Sequence, residues 1–325
     1  MKKKKVLGIG NALVDAVVKL PSDELLQTLN LSKGGMQLVD ADRSKKVLNA
    51  IENLTPRLTA GGSAANAISG ISYLGIETGF IGMVGKDTEG DLFIDAMSKQ
   101  GTEPMFFKSD TTSTGIAATL VSQDGERTFA TYLGAAVEMT ANKLSSNIFK
   151  DYNIFHIEGF LVSNQDLIHK AIALAKENGC TISIDLGSYN TVEENHSFLK
   201  DILPQIDLVF ANEEESFAYT HDRDPLNALN IFSEMCAYSI VKVGKHGAYL
   251  KHNNKVYKFS TNNAKCIDTT GAGDLFAAGF LAGLAQGKTM EECGFMATLL
   301  AENIIGVMGA KMSDEQWNNI RRQIK

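Results

Sequence analysis

The chain has 325 residues, a net charge of −7, and 44% hydrophobic and 21% charged residues, which is the balance of a globular protein with a sizeable core. Disordered, collagen-like and disulfide-stapled small proteins are excluded. The negative charge argues against holding nucleic acid through a general basic field, so any anion must be bound by local groups. The length allows two domains, but one large α/β domain with an insertion is the preferred interpretation.

Strand-length apolar runs alternate with amphipathic helical stretches along most of the chain, which predicts a largely parallel sheet covered by helices. In the first part, strands are predicted at 6–10 and 78–84 and helices at 63–73 and 88–100. Later strands are predicted at 154–157, 181–186, 208–211 and 239–243, a hairpin at 248–251 and 256–259, and helices at 166–177, 193–202, from about 213, 226–235, 272–286, 290–307 and 314–322. The fold class is therefore a doubly wound α/β core.

Two stretches break this rhythm. Short strands are predicted at 12–18, 35–39, 104–107, 115–122 and 127–132, with almost no helix between the later ones. These strands predict a small inserted sheet, formed by the segments of roughly 12–39 and 104–133. The whole chain, 1–325, is predicted to be a single domain. Such a sheet at the edge of the core could act as a lid over a ligand.

The N-terminal lysines precede an apolar run that Asn11 and Asp15 interrupt too early for a secretion signal, and no run of about 18 apolar residues follows. The four cysteines show no paired spacing. We therefore expect a cytoplasmic protein that binds neither membrane nor nucleic acid.

The most informative motif is Asp268-Thr269-Thr270-Gly271-Ala272-Gly273-Asp274, at the start of a predicted helix. Its two glycines let the backbone approach a ligand, and the free N–H groups of a first helical turn can hold a phosphate. Asp274 could then take a proton from an attacking hydroxyl. An isolated motif of this kind can also be an ordinary helix start.

A second glycine-rich helix start contains Gly61, Gly62, Ser63 and Asn66. The glycines permit close approach, Ser63 can cap the helix, and Asn66 can hydrogen-bond sugar hydroxyls; a well-capped packing helix is the alternative. Asn11 and Asp15 are further candidate substrate-binding residues, because they lie where the first strand runs into the inserted sheet. Asp15 could accept hydrogen bonds from two vicinal hydroxyls, or it could be a solvated turn residue.

Two further segments follow predicted strands, where open α/β sheets bind ligands. Asn212 and Glu215 could hold Mg²⁺ through water, although an acidic first helical turn is also common. The segment from Lys242 to Gly247 has glycines and lysines that could meet nucleotide phosphates, or merely form a turn.

Taken together and in this order, these motifs make the chain resemble the ribokinase-like (PfkB) family of carbohydrate and nucleoside kinases. The resemblance implies ATP-dependent phosphorylation of a hydroxymethyl group, with Asp274 as the base and the backbone of Gly271, Ala272 and Gly273 as the anion hole. It also implies a β-sheet lid. The residues that it places on the ATP side are Lys242, Gly244, Gly247 and Asn303, and on the acceptor side Asp15 and Asn66.

Family members often respond to a monovalent cation near the segment that matches Asp268 and Thr270, so K⁺ is a candidate ion. Within the family, the segment from Gly10 to Asp15 looks most like the adenosine kinase branch. Phe160 matches a segment that supplies an aromatic wall for the purine there, with a plain core position as the alternative.

The resulting hypothesis is a kinase that uses Mg²⁺ and ATP to phosphorylate the 5′-hydroxyl of adenosine. A kinase of ribose, fructose or a related sugar is the alternative, and a nucleoside- or sugar-binding regulator on an inactive kinase fold is a third reading. A monomer and a homodimer paired through the lid are both open.

Overall fold

The computed structural model describes residues 4–262 and 265–324 and contains two β-sheets. The strands are β1 Val6–Ile9, β2 Leu13–Lys19, β3 Met36–Leu38, β4 Arg57–Gly61, β5 Thr78–Gly85, β6 Thr102–Ser109, β7 Thr114–Val121, β8 Arg127–Gly134, β9 Ile154–Glu158, β10 Thr181–Asp185, β11 Leu208–Asn212, β12 Tyr238–Lys242, β13 Ala248–His252 and β14 Lys255–Phe259. The helices are α1 Glu24–Thr28, α2 Ala41–Ile51, α3 Ser63–Tyr73, α4 Thr88–Lys99, α5 Gln165–Glu177, α6 Tyr189–Glu194, α7 His196–Ile202, α8 Glu213–Thr220, α9 Pro225–Ser233, α10 Ala272–Gln286, α11 Met290–Ile304 and α12 Asp314–Gln323.

The main sheet has nine strands in the order β14-β13-β12-β11-β10-β9-β1-β5-β6. The strands from β12 to β6 run parallel, while β13 and β14 form an antiparallel hairpin at one edge. From β1 the chain adds β5 and then β6 on one side of the sheet, and β9 then pairs with the other side of β1. The strand order thus reverses between β1 and β9, and ligands bind beyond the carboxyl ends of the strands at such a point.

Both faces of the main sheet are covered by helices. Neighbouring residues of one strand enter opposite cores: Phe155 packs with the layer that contains α5, α7 and α9, and Ile154 packs with the layer that contains α3, α10 and α11. Because both faces are buried, the strands read as continuous apolar runs instead of alternating ones. This explains why the apolar runs located the core strands so well.

The small sheet has the order β3-β8-β7-β2-β4. One face packs on α1 and α2 through a core of its own that includes Val18, Val47 and Leu120. Alternate residues of the same strands, among them Asp15 and Phe129, face a cavity that lies against the main sheet. The period of two along each strand therefore divides the sheet into a structural face and a face toward the cavity.

The predicted composition of the small sheet was partly wrong. The strand predicted at 104–107 is β6, which pairs in parallel with β5 at the edge of the main sheet, and Pro104 is tolerated there because an edge strand needs no second partner. The fifth strand of the small sheet is β4, which was not predicted. The short link from β6 to β7 carries the chain directly between sheets, so strand rhythm alone did not reveal the change.

Other differences are local. The helix predicted at 193–202 is two helices, α6 and α7, separated at Asn195, and α1 and α2 were not predicted. Over the described part of the chain, no helix is both long and apolar enough to cross a membrane.

Candidate active site

A cavity of about 1370 Å³ lies between the carboxyl edge of the main sheet and the inner face of the small sheet. Many residues predicted from the motifs line it: Asn11, Asp15, Gly62, Asn66, Phe160, Asn212, Glu215, Lys242, Thr270, Gly271, Gly273 and Asp274. Among the described residues, the predicted site residues outside its lining are Gly61, Gly244, Gly247, Asp268, Ala272 and Asn303. Motifs far apart in the chain thus converge on one space.

Helix α10 begins at the cavity. Its N-cap, Gly271, has φ 77°, and a Cβ there would lie 2.8 Å from the side chain of Ala310, so glycine is required on both grounds. The first-turn N–H groups of a helix lack intrahelical acceptors and favour an anion. The N–H of Ala272 is already used, because it donates to the carbonyl of Thr269 at 3.1 Å. A role for the Ala272 backbone toward an anion stays a prediction.

Asp274 lies on the first turn of α10 and is held by two donors from the start of α3. Its Oδ1 accepts from Ser63 Oγ at 2.7 Å, and its Oδ2 accepts from Asn66 Nδ2 at 3.0 Å. Desolvation raises the pKa of Asp274 to about 6, despite these hydrogen bonds. A carboxylate that is ionised at neutral pH but more basic than an ordinary aspartate suits a general base.

The start of α3 differs from the sequence prediction in one respect. Gly62, not Ser63, is the N-cap, with φ 95°, and a Cβ on Gly62 would lie 2.4 Å from the carbonyl oxygen of Asn11. Ser63 is the first helical residue, and its hydroxyl is used to hold Asp274. The glycine thus allows α3 to start close enough to β1 for the two segments to share one site.

Asp15 points from β2 into the cavity, opposite the strand that ends at Gly61. A Cβ on Gly61 would lie 2.3 Å from the Asp15 carboxylate, so Gly61 contributes space for that carboxylate. Desolvation raises the pKa of Asp15 to about 6, partly offset by the positive charge of Lys311. A partly enclosed carboxylate without a close ion pair can accept hydrogen bonds from substrate hydroxyls.

Glu158, at the end of β9, is a buried carboxylate that the sequence reasoning missed. It accepts hydrogen bonds from Asn11 N at 3.2 Å, Asn11 Nδ2 at 2.7 Å and Ala64 N at 3.0 Å. Burial raises its pKa to about 7. Its signal was a glutamate at the carboxyl end of a predicted strand, two residues before Phe160. It ties β1 and α3 together at the reversal point of the sheet.

A second charged cluster lies beside the start of α10. Lys242 Nζ contacts Asp185 Oδ2 at 2.7 Å, and a Cβ on Gly273 would lie 3.1 Å from Lys242 Nζ. Burial lowers the pKa of Lys242, but the negative charges of Asp185 and Glu215 outweigh it and the net pKa is raised. Asp185 was not predicted as a site residue. The cluster places an ammonium group next to the predicted anion hole.

Asn212 and Glu215 form a capping box at the start of α8, in which Glu215 accepts from Asn212 N at 2.8 Å and from Asn212 Nδ2 at 2.7 Å. Burial raises the pKa of Glu215 to about 7. The described residues contain no group of three or more His, Cys, Asp or Glu side chains arranged to bind a metal directly. Mg²⁺ keeps part of its water shell and needs few direct ligands, so contact of Asn212 and Glu215 with this ion through water stays a prediction.

The predicted monovalent cation does not fit the residues present. The Asp268 carboxylate is paired with the Arg127 guanidinium of β8, and it also accepts from the N–H groups of Thr270 and Gly309. Arg127 also donates to the Thr270 hydroxyl. The side-chain oxygens of Asp268 and Thr270 already contact the Arg127 guanidinium, so they are not free to coordinate K⁺. Instead, this contact links the small sheet to the loop before α10.

The remaining predicted residues have other surroundings. Phe160 lines the cavity, and its ring lies against Gly187, where a Cβ would be 3.2 Å away. Gly247 is required by the turn into β13, because a Cβ there would overlap the carbonyl of Phe259. Gly244 has φ 53° in the same turn, and Asn303 Nδ2 donates to the carbonyl of Leu299 within α11 at 2.8 Å. A role for Gly244, Gly247 and Asn303 toward ATP stays a prediction.

These raised carboxyl pKa values predict how stability depends on pH. In the folded protein the pKa of Asp274 is about 6 and that of Glu158 about 7, against 3.8 and 4.5 for the free groups. The folded state therefore binds more protons, and stability present below about pH 4 is lost as the pH rises through 6 to 7. We expect the apparent Tm to fall over this window, with a smaller slope for Asp274→Asn.

Differential scanning fluorimetry of the ligand-free protein at constant ionic strength measures these slopes. Asp91→Asn is a matched control, because Asp91 is an exposed carboxylate on the first turn of α4. Its slope should equal that of the wild type. If the slope of Tm against pH is the same in Asp274→Asn as in the wild type, desolvation of the Asp274 carboxyl does not contribute to the pH dependence of stability.

Comparison with known proteins agrees with this geometry. The family model described as pfkB family carbohydrate kinase matches residues 33–317. The adenosine kinase of Saccharomyces cerevisiae is 29% identical over 331 residues, covering 95% of this chain and 96% of the yeast protein.

Among solved structures, the adenosine kinase from Sinorhizobium meliloti superposes with a TM-score of 0.90 at 29% identity, covering 99% of both chains. A probable sugar kinase from Rhizobium etli does so with a TM-score of 0.90 at 28% identity, also covering 99% of both chains.

The chain therefore belongs to the pfkB family and has the ribokinase-like fold, with a mostly parallel main sheet and a second small sheet. It is a phosphotransferase that acts on hydroxyl groups, for which ATP is the expected phosphoryl donor. Within the family it lies near the adenosine kinase branch.

Proposed function

We propose that this protein transfers the γ-phosphoryl group of ATP to the 5′-hydroxyl of adenosine. The main observation that supports this proposal is the mixture of polar and apolar side chains at the acceptor end of the cavity. Asp15 and Asn11 provide polar groups there, while Leu13, Phe129 and Phe160 line the same space. A ribose with two vicinal hydroxyls and an apolar purine ring would use both kinds of surface.

The proposed mechanism depends on position and charge. Asp274, held by Ser63 and Asn66, accepts the proton of the attacking hydroxyl. The start of α10 and the Lys242 ammonium group stabilise the charge on the transferred phosphoryl group. A hydrated Mg²⁺ near Glu215 and Asp185 would neutralise phosphate charge when bound. The small sheet, whose inner face forms one wall of the cavity, would exclude water.

A sugar kinase is the second candidate. The observation that favours it is the similarity to the probable sugar kinase from Rhizobium etli, which is as close in structure as the adenosine kinase. The polar end of the cavity would suit a sugar without a base equally well. A binding protein without activity is disfavoured, because Asp274 keeps two hydrogen-bond donors in place beside an intact helix start.

An acceptor panel tests the proposal. Purified protein with Mg²⁺ and ATP is assayed for ADP release with adenosine, inosine, cytidine, ribose and fructose, with Asp274→Asn as the inactive control. We expect the highest kcat/KM with adenosine. A preference for ribose or fructose would replace the nucleoside by a sugar, and binding of adenosine without ADP release would overturn kinase activity itself.

A further inference from the structure

Lys311 lies in the segment between α11 and α12, and neither the motifs nor the proposed mechanism uses it. Three consecutive residues of this segment contact the site: Gly309 N donates to Asp268, Ala310 packs on Gly271, and Lys311 reaches the cavity. The segment is therefore fitted around the loop that precedes α10. The contacts of Gly309 and Ala310 fix the position of Lys311 at the cavity.

The first contact of Lys311 determines how Asn66 is oriented. Lys311 Nζ donates to Asn66 Oδ1 at 3.1 Å, and Asn66 Nδ2 donates to Asp274 Oδ2 at 3.0 Å. An ammonium group has only donors, and a carboxylate has only acceptors, so the two together allow one orientation of the amide. Without the ammonium group, Asp274 alone would favour this orientation, and the Asn66 amide would be held less firmly against the carboxylate.

The second effect of Lys311 is its charge. Desolvation lowers the pKa of Lys311, and the attraction of Asp15 on β2 and Asp274 on α10 only partly offsets this effect. Arg127 on β8 is a second cation whose charge acts on Asp15, and Lys242 on β12 is a cation that acts on Asp274. The charge of Lys311 interacts with both carboxylates, one at the proposed acceptor end and one at the proposed base.

We propose that Lys311 is a positioning residue for phosphoryl transfer: it orients the Asn66 amide toward Asp274, and its positive charge acts on Asp274 and Asp15 from the cavity wall. This inference rests on the proposed function, because it concerns the same site. It adds a link from the segment after α11 to the reacting carboxylate. It also predicts different behaviour for variants that keep the charge and variants that remove it.

The test compares Lys311→Met, which keeps length but removes the charge, with Lys311→Arg, which keeps the charge. Lys255→Met is the control, because Lys255 pairs with Glu291 at the surface and is not among the residues lining the cavity. For each variant, kcat, the KM values of acceptor and ATP, and the pH profile of kcat are measured with the best acceptor of the panel. Thermal melts confirm that each variant is folded.

For Lys311→Met we expect kcat to fall about 10- to 100-fold, the effect of losing one charge-assisted hydrogen bond. The acidic limb of its pH profile should move to higher pH, because the carboxylates lose a neighbouring positive charge. Lys311→Arg should keep the limb of the wild type and most of kcat, and Lys255→Met should match the wild type throughout.

A folded Lys311→Met with kcat within about twofold of the wild type, or with an unmoved acidic limb, would overturn the proposal. Equal losses in the Met and Arg variants would also overturn it, since they indicate packing instead of charge. Failure of the wild type to phosphorylate any acceptor is a separate outcome, which would reject the proposed function. In that case, crystal structures of the wild type and Lys311→Met decide the matter: an unchanged Asn66 contact with Asp274 would reject the inference.

Discussion

Replacing Asp274 by Asn should lower kcat by at least about 10²- to 10⁴-fold, the range expected for loss of a general base. The carboxamide keeps the volume of the carboxylate and can still accept the hydrogen bond from Ser63. The substitution therefore removes proton acceptance while leaving the start of α10 in place. Steady-state ADP release measures kcat, and equilibrium binding of ATP and of the acceptor should change much less.

The matched control for this prediction is Asp91→Asn, which changes the same group at an exposed first helical turn and should leave kcat unchanged. Circular dichroism checks that both variants are folded. Turnover of Asp274→Asn close to that of the wild type would reject Asp274 as the base, and with it the mechanism proposed for the site.

Replacing Asp15 by Ala should mainly affect the acceptor. If the carboxylate binds two vicinal hydroxyls, its loss removes two charge-assisted hydrogen bonds of roughly 1.5–3 kcal/mol each, so the acceptor KM should rise by about 10²-fold or more. The KM for ATP should change little, because the phosphate-binding groups belong to α10 and β12. Asp15→Asn should give a smaller rise, since it keeps one acceptor oxygen.

Asp124→Asn is the control for Asp15→Ala. Asp124 lies in the turn between β7 and β8 of the same small sheet and pairs with Lys33 at the surface. It tests whether any change of charge in this sheet weakens binding. Equal increases in the KM for ATP and for the acceptor would indicate damage to the whole cavity and would contradict the assignment of Asp15 to the acceptor.

Much of the fold could be predicted because its signals are local. Helices α3 and α10 begin and end at the predicted residues, since glycine marks the start of each and apolar periodicity runs through both. The core strands were found from apolar runs, as expected for strands covered on both faces. The local sequence did not indicate to which sheet β6 belongs, because an edge strand of the main sheet and a strand of the small sheet have similar patterns of apolar residues.

The residues of the candidate site also fall into those that the sequence predicted and those that it did not. Asp15, Asn66 and Asp274 were predicted because each lies in a motif whose neighbours are close in the chain. Arg127, Glu158 and Lys311 were missed, because their importance depends on partners far away in the chain: Lys311 and Asn66 are 245 positions apart, and Arg127 and Asp268 are 141 apart. A charged residue has no pattern of its own that reveals such a partner.

The sequence by itself determined the family, the helix starts that bring glycine to the cavity, and the residue proposed as the base. For a chain with a net charge of −7, the sequence predicts that an anion is bound locally, by backbone N–H groups at such helix starts. The tertiary structure alone decided which charges meet: Arg127 takes the oxygens predicted for a cation, Glu158 joins β1 to α3, and Lys311 faces Asn66. Charge pairing acts through space, so only the folded chain specifies it.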